Sequence, residues 1–78
     1  MTLIEIATIY TDLIKAEREI PDDECHARDQ INLLRSKYHE ILMTKMRDEG
    51  VDFFDRFDAT GKAFEIVETY RSHSGGTP

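Results

Sequence analysis

Seventy-eight residues carrying 16 acidic side chains against 10 lysines and arginines, for a net charge of −6, leave room for one domain that buries about 60% of the surface its unfolded chain exposes. An apolar content of 40% argues against disorder, and the acidic balance argues against nonspecific attachment to nucleic acid or to an anionic membrane. The single cysteine, Cys25, excludes an internal disulfide and a cysteine-built zinc site.

The chain opens on MTLIEIATIYTDLIK. No basic segment precedes its apolar residues, and Glu5 and Asp12 interrupt them, so neither a secretion signal nor a membrane span is expected. A cytoplasmic location is the default expectation. Leu3, Ile6, Ala7, Ile9, Tyr10, Leu13, Ile14 and Ala16 recur at helical steps, which predicts a helix from an N-cap at Thr2 to Glu19. This apolar face is wider than that of an ordinary surface helix, so cover on more than one side is expected.

Ile20-Pro21-Asp22-Asp23 ends the first helix, because a residue before proline is steered away from helical dihedrals. Asp22 or Asp23 is the expected N-cap of a second helix that closes at Gly50, a residue suited to the left-handed C′ position. So short a connection predicts an antiparallel hairpin. Ala27, Ile31, Leu34, Tyr38, Ile41, Leu42 and Met46 make the expected buried face, with Leu34, Tyr38 and Ile41 against Ile6, Leu13 and Ile14 or their copies in a second chain. Asp29, Gln30, Ser36, Lys37, Glu40, Thr44, Arg47 and Asp48 make the wet one.

Beyond Gly50, the positions of Phe53, Phe57, Thr60, Phe64 and Val67 predict one further helical face. Gly61 costs about 1 kcal/mol in a helix interior, and Asp58 and Thr60 are turn and cap residues. The segment is therefore expected as two short helices separated at Asp58–Gly61. The domain is expected to occupy residues 1–72, with a disordered tail over 73–78.

Few residues point to chemistry. Asp22 and His26 lie one helical turn apart, but His39 is too distant to join them, and no zinc-type spacing appears. Cys25 sits near a helix N-terminus, which lowers a thiol pKa, among three acids that raise it again. The cations of the second helix are interleaved with acids, so no basic stripe for nucleic acid forms. Asp52, Asp55 and Asp58 repeat at three-residue steps, and Glu65 and Glu68 add a later pair. This resembles the Glu-x-x-Glu and Glu-x-x-Asp elements with which all-α nucleotide pyrophosphohydrolases hold magnesium, though order and spacing differ and no cationic phosphate cradle accompanies them.

The expected fold is all-α: an antiparallel helical hairpin plus a shorter third helical segment, dimerising into a helical bundle. The expected function is that of a small acidic protein-binding module, an adaptor, inhibitor or regulatory subunit, acting without catalysis, cofactor or metal. Its expected site is Asp52, Phe54, Asp55 and Asp58, an aromatic among carboxylates facing a protein partner with a basic surface. The alternative is a magnesium-dependent enzyme of the pyrophosphohydrolase kind.

Overall fold

The computed structural model describes the backbone of residues 1–75 and the side chains of residues 1–72. Within them the chain is all-helical: α1 spans Leu3–Glu19, α2 Cys25–Asp48 and α3 Arg56–Gly75. None of these helices is long and apolar enough to cross a membrane.

Helix α1 begins as its sequence predicts. The Thr2 hydroxyl accepts from the Glu5 backbone N–H, while the Glu5 carboxylate accepts from the Thr2 backbone N–H at 2.8 Å, a reciprocal capping box. Those Thr2 donors hold the Glu5 carboxyl below its usual range. Ile6, Ala7, Tyr10, Thr11 and Ile14 are buried. Thr11 is tolerated there because its hydroxyl donates to the Thr8 carbonyl at 3.1 Å.

The start of α2 departs from expectation. Glu24 N–H donates to the Pro21 carbonyl at 3.1 Å, which makes Asp22 and Asp23 the centre of a β-turn. Neither aspartate caps the helix; Glu24 holds the N-cap position without a side-chain bond, and Asp22 accepts instead from Arg28 at 2.7 Å. The other end is as expected. Gly50 has φ 74°, Val51 N–H donates to the Met46 carbonyl at 2.8 Å, and Gly50 N–H donates to the Arg47 carbonyl at 3.2 Å. This Schellman pair satisfies carbonyls that the helix end leaves free, and Val51 packs onto the core beside it.

The third segment is a single helix through Gly61, against the expected break. Asp55 and Asp58 close the start of this helix in place of a turn: Asp55 Oδ1 accepts from the Asp58 backbone N–H at 2.8 Å, an N-cap bond, and Asp58 Oδ2 accepts from the Phe54 N–H at 2.7 Å. The Thr60 hydroxyl donates to the Arg56 carbonyl at 3.1 Å, a bond that runs along the helix and opens no turn. His73, Ser74 and Gly75, placed in the expected tail, fall in the last turn of α3; residues 76–78 lie outside the described residues.

The core joins Ile6, Ala7, Tyr10 and Ile14 of α1, Leu42, Met43 and Met46 of α2, and Ala59, Ala63 and Val67 of α3. Helix α1 is the hub: it packs against both others, whereas α2 and α3 meet only sparsely. That explains its wide apolar face. Ala59 and Ala63 are fully buried one turn apart, and their small side chains let α3 lie close on its neighbour.

Several expected core residues are not core: Leu13, Ala27 and Ile31 are half-buried and lie outside the core cluster. Leu34 is 46% exposed and Phe57 88% exposed. On α2 the buried stripe is His39, Leu42, Met43 and Met46, turned by about one residue from the predicted face, which leaves Tyr38 and Ile41 at its edge, partly buried. On α3 the ridge Ala59–Ala63–Val67 faces inward, which turns Phe57 out. Phe53 precedes the helix and packs against the core with Arg47 above its ring, 5.4 Å from the centroid.

Candidate functional site

The link from α2 to α3 and the first turn of α3 carry the residues that the sequence singles out. Its Schellman turn and the reciprocal aspartate cap fix the backbone at both ends of the link. Phe54, between them, has nothing to pack on and stands 93% exposed. Asp52 and Asp55 are exposed beside it. Asp55 and Asp58 each spend one oxygen on the start of α3, where carboxylates also complement the positive end of the helix dipole. The structure therefore gathers Asp52, Phe54, Asp55 and Asp58 on one short stretch, two of them with a structural duty, and adds Phe57 as a second exposed ring.

A second feature adjoins this one and was not anticipated. Tyr10 of α1, His39 of α2 and Thr60 of α3 meet in a chain of hydrogen bonds. Tyr10 Oη lies 3.1 Å from His39 Nδ1 and 3.0 Å from Thr60 Oγ1. One assignment of protons satisfies every link: His39 Nδ1–H donates to Tyr10 Oη, Tyr10 donates to Thr60 Oγ1, and Thr60 donates to the Arg56 carbonyl. The relay leaves His39 Nε2 buried without a partner. Burial holds the imidazole below its ordinary pKa, and the nearby Arg56 guanidinium adds to the depression.

These groups form the back of a cleft of about 290 Å³, with Arg35, Ser36, Arg56 and Phe57 around its mouth. Arg35 Nε is 3.5 Å from Glu17 Oε2. The contact is one of charge only, since Nε is buried and makes no hydrogen bond. Among the described residues Arg56 has no carboxylate within ion-pair distance. A site with two guanidinium groups, hydroxyls and a buried imidazole is electropositive on a chain that is acidic overall.

Neither a family model nor a curated protein nor a solved structure matches the sequence. The local geometry carries the functional argument by itself.

The other sequence candidates are separate from both features. His26 is exposed and bonded to Gln30 at 3.0 Å, while Asp22 is tied to Arg28. Cys25 is an exposed free thiol. Among the described residues no three His, Cys, Asp or Glu side chains come together as metal ligands would, so Asp52, Asp55 and Asp58 do not join Glu65 and Glu68 in a carboxylate cluster. The cleft had a signal in the sequence. Arg35, His39, Leu42 and Met46 follow helical steps of four, three and four as regularly as the set built on Leu34 and Tyr38.

Proposed function

We propose that the protein is a small acidic binding module, an adaptor, inhibitor or regulatory subunit, that acts without catalysis by docking a basic protein surface onto the stretch from Asp52 to Asp58. One observation carries the reading: Phe54, a large apolar ring, stands 93% exposed among carboxylates on a backbone anchored at both ends. Exposed aromatics of this kind supply contact energy at an interface, while surrounding charges steer encounter and select partners of opposite sign. The net charge of −6 works in the same direction at longer range.

The arrangement of α1 and α2 enters as part of the same proposal. Tyr10 pairs with His39 and Glu17 lies by Arg35, so later α1 residues meet earlier α2 residues, which supports an antiparallel hairpin. The first half of α2 contributes no buried residue and presents Leu33 at 73% and Leu34 at 46% exposure. That face supports a homodimer. The free Cys25 thiol suits the reducing cytoplasm.

The docking site is tested by titrating the labelled protein with a basic partner recovered by cross-linking from Phe54, then repeating with Phe54→Ala and with Asp52→Lys. Phe54→Ala is expected to weaken the complex by roughly 1–2 kcal/mol and to leave the thermal melt in place. Asp52→Lys is expected mainly to slow association, more so at low salt. Unchanged affinity in Phe54→Ala would remove the site from consideration.

A further inference from the structure

The cleft between the three helices has a composition that the protein-docking reading does not use. We propose that it is a binding site for a small phosphate monoester, with the dianion held by Arg35 and Arg56 and the organic group lying against Phe57. This rests on the cleft alone and is independent of the role of Phe54.

Four observations converge. First, the space of about 290 Å³ is at the small end of ligand-binding cavities, enough for a phosphate and one ring or sugar. Second, the charged groups of its wall are both cationic. Arg35 and Arg56 present guanidinium groups, Ser36 adds a hydroxyl, and no aspartate or glutamate is among the lining residues. Guanidinium forks match phosphate oxygens in geometry as well as charge. Third, the wall has unmet capacity. Among the described residues the Arg56 guanidinium has no carboxylate within ion-pair distance, so its donors are free to meet an anion. Fourth, Phe57 is 88% exposed at the mouth, where its face is free to cover an aromatic or sugar ring.

Geometry favours a phosphate over a carboxylate. Glu17 offsets part of the Arg35 charge while Arg56 is uncompensated among the described residues, and the three terminal oxygens of a phosphate monoester can serve two guanidinium groups where a carboxylate offers two oxygens. Size and overall charge favour a small molecule over a polymer, because a net charge of −6 repels an extended polyanion away from this one cationic spot.

Calorimetric titration with phenyl phosphate, and with benzoate as a singly charged planar anion on the same ring, tests the assignment. Phenyl phosphate is expected to bind with a Kd of roughly 0.1–1 mM, as suits so small a ligand, and benzoate roughly tenfold more weakly. Arg56→Gln is expected to lower phenyl phosphate affinity roughly tenfold, the loss of one charge-assisted contact. Arg56 lies on the exposed first turn of α3, so the thermal melt should stay in place; Arg35→Gln provides an independent second variant. Phe54→Ala should have no effect. Absence of binding at roughly 10 mM, benzoate binding as tightly as phenyl phosphate, or full affinity in both arginine variants would each overturn the proposal. A phosphotyrosyl peptide binding much more tightly than phenyl phosphate would overturn the small-molecule assignment in favour of a phosphoprotein.

Discussion

Tyr10 illustrates how a single residue ties sequence to tertiary structure. Its ring is 1% exposed and fills the centre of the core, while its hydroxyl finds partners on two other helices. Removing only the hydroxyl, in Tyr10→Phe, keeps the packing but leaves His39 Nδ1 without its partner, while Thr60 keeps its bond to the Arg56 carbonyl. The expected cost is about 1–2 kcal/mol, which a thermal melt of a domain this size would show as a drop of roughly 4–16 °C. No change would mean that water replaces the bonds. His39 adds a pH dependence. Its folded pKa lies below the unfolded value of 6.5, with burial the main cause and Arg56 the second. Below about pH 6.5 the unfolded chain therefore binds the proton first, and stability falls as pH falls from that point toward the lower folded value. Above it both states are neutral and this contribution is flat. Melts between pH 8 and 5 should show the decline, and His39→Asn should flatten it in that window.

Two glycines show that an element assigns opposite roles to one residue type. Gly50 has φ 74° at the end of α2, a conformation that a Cβ disfavours. Gly50→Ala should therefore cost about 1 kcal/mol or more, although a Cβ there meets no neighbouring atom. Gly61 lies exposed within α3, again with open space at the Cβ position. Gly61→Ala is thus expected to stabilise by about 1 kcal/mol through helix propensity and unfolded-chain entropy. The two melting temperatures should move in opposite directions. A loss of stability in Gly61→Ala would indicate that the glycine is needed for an approach not made within one chain.

On the scale of the whole molecule, the open question is what covers the first half of α2. A domain with so few fully buried side chains has little stability to spare, and Leu33 and Leu34 remain uncovered within one chain. If that face joins two copies, light scattering will give twice the 9.1 kDa chain mass. Leu33→Asp combined with Leu34→Asp will return the protein to a monomer of unchanged helicity, because neither residue is buried within one chain. A wild-type mass of 9.1 kDa at high concentration sinks the dimer.

What the sequence determined by itself was local and periodic. The Thr2 N-cap, the stop at Ile20-Pro21 and the left-handed Gly50 depend on neighbours within a few residues, so they were legible without a structure. The all-helical class followed from periodicity, and the breadth of α1 announced that it would be covered on two sides. The tertiary structure decided which of several equally regular faces turns inward. On α2 the set containing Leu34 and Tyr38 and the set containing Arg35 and His39 differ by one residue, about 100° of rotation. Hydrophobicity favoured the first. Contact with Tyr10 goes with the second, where His39 Nδ1 finds a buried partner in place of water and Leu42, Met43 and Met46 turn inward beside it. The same decision brought Arg35 and Arg56, some twenty residues apart along the chain, to the lining of one cationic cleft: helical steps put Arg35 and His39 on one face, but only the packing of three helices adds Tyr10, Arg56 and Thr60 to it. Continuity through Gly61 was also a tertiary outcome: the propensity cost of one glycine is small beside the burial of Ala59, Ala63 and Val67 along α1.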